Sequence, residues 1–322
     1  MAIFCLRLAM DIREIKTQVD VKKFIKSWEF VFQRRLDESV YTWAFSGNNH
    51  IYGCFDEGSV VAGYCLLDIA ALINKKKYQG GLCNNVFVNG FKYQKKGVFG
   101  QITEFALNDI ANNGYDFALG FPNKKAIKAH VRSGWQQETD LPFYEFELNS
   151  NFLINFSQYR FEWCDVSSKK VFQDISRFMS ERCERYSFSL LKDTDFLTWR
   201  FENNPRWHYD ICCIYCDDAL EGFFVSKYYV EKKRVHLVDY FFDTGELAEA
   251  SLSSIYNKYK VELGQDVDYV DAWCAEGDHH VFEQAGFLRS SEFSYVIFKD
   301  LANNNLRIGN SPHFTLSDND VF

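Results

Sequence analysis

The sequence predicts an α/β protein with a mixed sheet, built as two domains in tandem. Its 322 residues are enough for two domains of about 150 residues each. Strand-like and helix-like segments alternate along the chain, which is typical of α/β folds. The order of these segments in the first half recurs in the second half with different residues, at a period of about 150. We therefore expect domains at residues 1–150 and 151–322, separated by the polar stretch 149–157.

The composition limits the function classes. Hydrophobic residues make up 47% of the chain and aromatic residues 18%, so a large core is expected. The net charge of −8 argues against a general binder of nucleic acids or anionic membranes. The N-terminal ten residues are too short for a signal peptide, and Met10 is an alternative start. We expect a soluble, cytoplasmic protein, either a monomer or a homodimer.

The ten cysteines are scattered, and only Cys212, Cys213 and Cys216 lie close together. No matching pair of cysteine or histidine residues follows them at the spacing of a zinc site. Buried thiols in a reducing compartment are the expected interpretation, and no metal is predicted.

The first half contains the elements of one domain. Apolar spacing predicts a helix at 21–36, with Phe24 and Trp28 on its inner face. Period-two patterns and turn residues predict strands at 11–16, 51–55, 60–73, 86–91, 115–120 and 142–148. Further helices are predicted from Val98 into the run Asn112-Asn113-Gly114, with Gly114 as the stop signal, and at 122–133.

The second half repeats this order. Predicted strands lie at 161–166, 210–216, 220–229, 235–242, 267–273 and 293–299. Predicted helices lie at 170–185, 195–204, 246–263 and 278–285.

A basic glycine loop between a strand and a helix predicts an anion site. This loop contains, in order, Gln94, Lys95, Lys96 and Gly97, and the helix begins at Val98. The first N–H groups of a helix carry positive partial charge, and glycine lets a pyrophosphate approach the backbone closely. An ordinary connecting loop is the alternative interpretation.

Two motifs in this region resemble those of the GNAT acyl-CoA N-acyltransferases. The phosphate loop of that family reads Gln/Arg-x-x-Gly-x-Gly/Ala, and here it reads Gln94-Lys95-Lys96-Gly97-Val98-Phe99. The later motif of the family is matched in register by Asn123, Ala126, His130, Gly134 and Trp135. The resemblance implies two tandem GNAT-like acyltransferase domains and an acyl-CoA co-substrate, with acetyl-CoA expected and other acyl-CoA molecules possible.

The family also implies where the co-substrate lies. Its pantetheine arm runs between two splayed parallel strands, which here would be 87–90 and 116–120. The expected contacts are Phe87, Val88, Asn89, Gln94, Lys95, Lys96, Gly97, Val98, Phe99, Gly100, Asn123, Lys125 and Ala126. A turn role for Asn123 and a solvated role for Lys125 are the alternatives.

Three departures from the family pattern affect the expected chemistry. Phe99 stands where a small residue is usual next to the pyrophosphate. His130 stands where the family often has a tyrosine that acts as the general acid. We therefore expect His130 to be the proton donor, with a structural histidine as the alternative. Asn84 and Asn85 occupy the strand where many relatives carry a carboxylate base.

The missing base is expected from the second half of the chain. Asp239 and, in the C-terminal tail, Asp318 and Asp320 are the candidates, and structural hydrogen bonding or a disordered tail are the alternatives. The second domain itself has lost the phosphate loop, because Asp243 and Glu246 flank the corresponding helix start and would repel a pyrophosphate. We therefore expect one coenzyme A per chain.

The function expected from these features is transfer of an acetyl group from acetyl-CoA to a primary amine of a small polar molecule. An amino sugar or an amino-acid derivative is the expected acceptor. Two alternatives remain open: an aminoacyl transferase of the tandem GNAT kind, against which the acidic net charge counts, and a non-catalytic acyl-CoA sensor.

Overall fold

The computed structural model describes residues 10–45, 47, 49–90, 92–94, 96–148 and 157–319. The chain divides into two compact units. Unit 1 contains the chain up to Ala70, Lys77–Thr139 and Tyr295–Arg307; unit 2 contains Ala71–Lys76, Asp140–Ser294 and the chain from Ile308. Each unit is made of more than one stretch of the chain. Residues 149–156 of the predicted boundary lie outside the described residues, so that boundary stays a prediction. None of the described helices is long and apolar enough to cross a bilayer.

Unit 1 is a twisted sheet with helices packed on it. Its strands are β1 (Asp11–Glu14), β2 (His50–Asp56), β3 (Ser59–Ile73), β4 (Lys76–Val88) and β5 (Phe117–Gly120). Its helices are α1 (Gln18–Phe32), α2 (Glu38–Ala44), α3 (Val98–Asn112) and α4 (Ile127–Arg132). The apolar faces of α3 and α4 bury Val98, Ile102 and Ile127 against β3 and β4. Phe24 and Trp28 of α1 pack with Phe87 of β4 in a second buried cluster.

The parallel pair β4 and β5 is the element that positions the candidate site. Pairing runs from Gly80 opposite Phe117 to Cys83 opposite Gly120. Strand β4 continues to Val88, whereas β5 ends at Gly120, so the pairing of the two strands ends at Cys83. We call the region bounded by residues 84–88 of β4 and the end of β5 the fork.

Unit 2 contains the strands β6 (Gln136–Glu147), β7 (Arg160–Cys164), β8 (Phe188–Leu190), β9 (Asp210–Cys216), β10 (Ala219–Tyr229), β11 (Arg234–Phe241), β12 (Tyr269–Trp273), β13 (Leu288–Asp300) and β14 (Pro312–His313). The first residues of β6 and the last of β13 belong to unit 1. The helices are α5 (Lys169–Arg182), α6 (Thr194–Leu197), α7 (Gly245–Ile255) and α8 (His279–Gln284). A π-helical segment extends α6 to Glu202, and another extends α7 to Glu262.

The order of elements in unit 2 repeats that of unit 1. Strand β11, helix α7, strand β12 and helix α8 follow one another as β4, α3, β5 and α4 do. Strands β11 and β12 pair in parallel, from Arg234 opposite Tyr269 to Leu237 opposite Ala272. The predicted mixed α/β fold and the internal repeat of elements are therefore confirmed.

Several element boundaries differ from the prediction. Strand β4 begins ten residues earlier than expected, because Asn74 and Lys75 adopt left-handed φ angles of 48° and 68° and form a tight turn after β3. The predicted helix 21–36 ends at Phe32, and α2 follows as a separate helix. The sequence also gave no signal for the short strands β8 and β14.

Candidate functional site

The N-terminus of α3 is open to an anion. Gly97 is its N-cap residue and has a left-handed φ of 79°. No side chain of the described residues caps this helix, and its first turn carries no acidic residue. The backbone N–H groups of Val98, Phe99 and Gly100 have no carbonyl partner within the helix, as at any α-helix start. A Cβ atom at Gly97 would meet only the Gln101 side chain, at 3.9 Å, so the space beside the backbone is open.

A groove of about 760 Å³ runs alongside this helix within unit 1. Its floor is formed by one face of α3, and its rim carries the cationic side chains of Lys96, Arg132 and Lys299. Lys299 reaches across from β13 and donates a hydrogen bond of 2.8 Å to the carbonyl of Gly134. Glu104 and Asp300 also line the groove, so the charged residues of its described lining sum to about one net positive charge.

The predicted loop residues lead into the start of α3. Gln94, Lys96 and Gly97 are exposed at the mouth of α3. Lys95 lies outside the described residues. The side chain of Val98 is buried in the core of unit 1. Gly100 lies beside α4, where an added Cβ would be 3.8 Å from the Ser133 hydroxyl.

The predicted site residues at the end of β4 are Phe87, Val88 and Asn89, and the side chains of Phe87 and Asn89 are engaged within the fold. The ring of Phe87 is buried in the core against Phe24, with ring centroids 5.3 Å apart. The N–H of Asn89 donates to the carbonyl of Val61 on β3, at 2.7 Å. Successive N–H groups of a strand point to opposite edges, so the N–H of Val88 points towards the fork. The Asn89 side chain donates to the Ser27 hydroxyl of α1 at 2.9 Å and is thus engaged within the fold.

His130 is buried among aromatic rings. Its ring meets Phe99 and Trp135 edge-on, with centroids 5.0 Å and 5.6 Å away. Burial lowers the pKa of His130 to about 4, so the ring is neutral at pH 7. A neutral ring with so low a pKa is poorly suited to donate a proton as an imidazolium ion, which disfavours the predicted role as the acid. Phe99 is half-buried against this ring, which explains why a large residue fits at that position.

The residues that lead into α4 form a turn. The side-chain oxygen of Asn123 accepts hydrogen bonds from the backbone N–H groups of Lys125 and Ala126, at 2.9 Å and 3.1 Å. Asn123 therefore has the turn role that the sequence left open as its alternative. Lys125 is exposed, and Ala126 is half-buried at the N-cap position of α4. Their contact with a co-substrate stays a prediction.

The corresponding helix start in unit 2 is closed by its own residues. The Thr244 side chain caps α7 by accepting from the N–H of Leu247, at 3.2 Å, and Glu246 lies in the first turn. A Cβ atom at Gly245 would lie 2.4 Å from Gln284 of α8, so this backbone is covered. The hydroxyl of Tyr240 also donates to the carbonyl of Trp273, at 2.8 Å, and ties β11 to β12 beyond their last pair.

The two predicted aspartate bases lie in a buried network of unit 2. The Lys192 ammonium bridges Asp239 and Asp318 at 2.9 Å and 2.8 Å, and these three side chains are at most 1% exposed. Thr315 and Ser317 of the tail complete the network with hydrogen bonds to Lys192. The attraction of the two carboxylates outweighs burial and raises the pKa of Lys192.

Carboxylates that are buried and paired with an ammonium group have no surface through which to take a proton from a substrate. The geometry therefore disfavours Asp239 and Asp318 as the base, and the tail docks within unit 2 as a structural element. Asp320 lies outside the described residues.

Two groove residues, Arg132 and Lys299, were missed by sequence reasoning. Arg132 lies two residues before the Gly134 of the second motif, and its place at the end of α4 offered a local signal. Lys299 comes from a strand more than 160 residues later in the chain, and nothing near it in the sequence indicates an anion site.

Comparisons with known proteins agree with this geometry. Residues 11–137 match the family model described as Acetyltransferase (GNAT) domain. This part of the chain is similar to the GNAT acetyltransferase domain. The match supports acyl-CoA-dependent N-acyltransferase activity, as the sequence predicted. A comparison with curated protein sequences gives no match.

Solved structures share the fold over most of the chain. A GCN5-related N-acetyltransferase from Anabaena variabilis is similar with a TM-score of 0.72 at 12% identity, over 90% of this chain and 73% of the other. A tandem GNAT protein from the clavulanic acid biosynthesis pathway has a TM-score of 0.62 at 10% identity, over 92% and 100%. Saccharomyces cerevisiae N-myristoyltransferase with bound myristoyl-CoA has a TM-score of 0.60 at 10% identity, over 93% and 81%. At such identities the likeness shows the GNAT fold alone.

Proposed function

We propose that this chain transfers an acetyl group from acetyl-CoA to a primary amine of a small polar acceptor, such as an amino sugar or an amino-acid derivative. The observation that carries the proposal is the open start of α3 at Gly97, beside a groove with cationic residues and next to the fork. Each part suits one part of acetyl-CoA: a pyrophosphate needs N–H donors, the phosphorylated nucleoside needs the groove, and the pantetheine arm needs the fork.

The phosphate groups are held by charge and by the backbone. The N–H groups of Val98, Phe99 and Gly100 point at the pyrophosphate, and the absence of an acid in this turn leaves the helix dipole unopposed. Lys96 and Arg132 add full positive charges at the groove rim. Gln94 and Lys95 belong to the same loop and complete the predicted set.

The reaction itself takes place at the fork. The nitrogen of a neutral amine attacks the thioester carbonyl, a C–N bond forms, the C–S bond breaks, and the thiolate leaves as the nitrogen loses a proton to water or to a base. The Val88 N–H points towards the fork and is placed to donate to the oxygen that gains negative charge. His130, neutral and buried beside Phe99, supports the wall of the site rather than supplying a proton.

The state of unit 2 supports one coenzyme per chain. Its helix start is capped by Thr244, its glycine is covered by α8, and Tyr240 closes the gap between β11 and β12. Each of these contacts occupies a place that is open in unit 1. We propose that unit 2 is a degenerate copy with a structural role.

Two assays test the proposal. Acetyl-CoA should raise the melting temperature of the full chain by several degrees at about 100 times the dissociation constant, because binding to the folded state alone stabilises it by mass action. Release of free coenzyme A over a panel of primary amines then identifies turnover. Stabilisation without release for any amine would indicate a sensor, and no stabilisation would contradict the proposal.

A further inference from the structure

The side chain of Asn84 stands at the fork. Cys83 is the last residue of β4 that pairs with β5, so Asn84 is the first residue beyond the paired region. A Cβ atom at Gly81 would meet Ile110 of α3, and Cys83 packs in the same cluster. Because side chains alternate along a strand, Asn84 points to the other face of β4, the face that carries Phe87 and α1.

The amide of Asn84 is buried and has no hydrogen-bond partner within the part of the chain that the structure describes. The residue is 8% exposed, and among the described residues neither its side-chain oxygen nor its nitrogen makes a hydrogen bond. Buried amides in folded proteins are almost always paired, because leaving the water behind without a replacement partner is costly. An unpaired amide at such a position therefore indicates a group that is satisfied only when a ligand is bound.

The neighbouring asparagines show what a structural amide looks like here. The side-chain oxygen of Asn85 accepts a hydrogen bond of 2.9 Å from the Trp28 indole. The side-chain nitrogen of Asn89 donates a hydrogen bond of 2.9 Å to the Ser27 hydroxyl. Both tie α1 to β4. Asn85 also has a left-handed φ of 46°, so the regular alternation of the strand is interrupted directly after Asn84. Irregularities of this kind are common next to active sites.

The chemistry of an amide defines what it binds. It offers one strong acceptor and two donors, carries no charge, and does not titrate in the range of pH that proteins tolerate. A cationic ammonium ion has donors only and would favour a carboxylate, whereas a neutral amine next to a carbonyl group offers both a donor and an acceptor.

We infer that Asn84 holds the two reacting groups together, its oxygen accepting an N–H of the neutral acceptor amine and its nitrogen donating to the acyl carbonyl. This inference rests on the proposed function, since it requires an acyl thioester at the fork. Asn84 orients the amine and stabilises the oxygen on which charge develops, and it takes no proton. The acceptor thus reaches this site in its neutral form.

The test is the variant Asn84→Leu, which has a similar volume and no polar atom. Removing an unpaired buried amide leaves the melting temperature unchanged or raises it, whereas removing a structural amide lowers it. Acetyl-CoA affinity, measured by calorimetry, should stay within about twofold, while coenzyme A release with a saturating amine falls about 100-fold, as for other groups that stabilise an oxyanion. The control is Asn113→Ala, an exposed asparagine at the end of α3, which should change none of these values.

The outcomes separate the inference from the proposed function. A wild-type chain that binds no acetyl-CoA overturns both. A chain that binds it normally, with an Asn84→Leu variant that keeps full turnover, overturns the role of Asn84 alone. A fall of more than about 5 °C in the melting temperature of the variant also overturns it, because the amide would then be structural.

Discussion

At the scale of single residues, a motif can predict where a residue lies in the fold without predicting the side chains that surround it. The second motif placed His130 on α4 correctly, yet its chemical character is set by the rings of Tyr64, Phe99 and Trp135 around it. Those rings come from a strand, a helix and a loop that are far apart in the sequence. No local pattern around His130 could have indicated that burial lowers its pKa.

His130 should make the fold sensitive to acid. Its pKa is about 4 in the folded chain and about 6.5 when exposed, so the unfolded chain binds the proton first as the pH falls. The stability that the neutral ring contributes is complete above pH 6.5 and is lost progressively down to pH 4, by up to about 3 kcal/mol. Urea unfolding of the wild type and of His130→Phe at pH 7 and pH 4 measures the free energy of unfolding that each protein loses on acidification. An equal loss in both proteins would contradict a lowered pKa of His130 as its cause.

Lys192 should be essential for the folding of unit 2. The variant Lys192→Met leaves the carboxylates of Asp239 and Asp318 buried and unpaired, which should cost about 3–5 kcal/mol. Adding Asp239→Asn and Asp318→Asn removes both charges and should restore much of that free energy. Denaturant titration at pH 7 gives the values. A single variant as stable as the wild type would show that the network is not what holds the tail.

At the scale of elements, the difference between α3 and α7 lies in a few residues at their starts. Gly97 leaves the backbone open, and Thr244 closes it by capping. The sequence was enough to predict both helices and the contrast in charge at their starts. The covering of Gly245 by Gln284 was not predictable, because it depends on how closely α8 packs on α7.

Gly97→Glu should abolish acetyl-CoA binding. The new carboxylate would lie at the mouth of α3 and repel the pyrophosphate, and the left-handed φ of 79° adds strain of about 1–2 kcal/mol. Gly58→Glu is the matched control, because Gly58 has a φ of 76° with no atom near its added Cβ and lies in the turn between β2 and β3. Calorimetry should show binding only in the control; binding retained by both variants would contradict the phosphate site.

Arg132 should contribute to affinity through charge. We expect Arg132→Gln to weaken acetyl-CoA binding about 5–10-fold at low ionic strength, as the loss of one exposed charge near a phosphate implies. The difference should shrink at 0.5 M salt, because exposed charges are screened. Arg177→Gln, an exposed arginine of unit 2 paired with Asp174, is the control. A difference that does not depend on salt would contradict a direct ionic contact.

Two features could not be predicted from the sequence: the contribution of Lys299 to the groove and the first residues of β4. The start of α3 at Gly97 was predictable because the glycine loop and the first helix residues are consecutive in the sequence. Lys299 was not, because it reaches the groove from β13 and its role depends on the fold. Gly80 and Gly81 of β4 have no side chain that favours a strand, and their pairing with β5 decides their conformation.

At the scale of the whole molecule, the chain consists of two units with the same order of elements and different residues at the corresponding helix starts. Both have a strand, a helix, a parallel strand and a second helix in the same order. In unit 1 the start of α3 has no side-chain cap among the described residues, whereas in unit 2 Thr244 caps α7, Gln284 covers Gly245, and Tyr240 ties β11 to β12. We therefore expect a duplicated fold in which one copy binds acetyl-CoA and the other serves as scaffold.

The most direct test of this account is the binding stoichiometry of acetyl-CoA together with its location. Calorimetry of the full chain should give one site per chain, and hydrogen exchange should show protection by acetyl-CoA at residues 94–100 and none at 243–249. Two sites per chain, or protection at the start of α7 in place of α3, would contradict the central claim that only unit 1 binds the coenzyme.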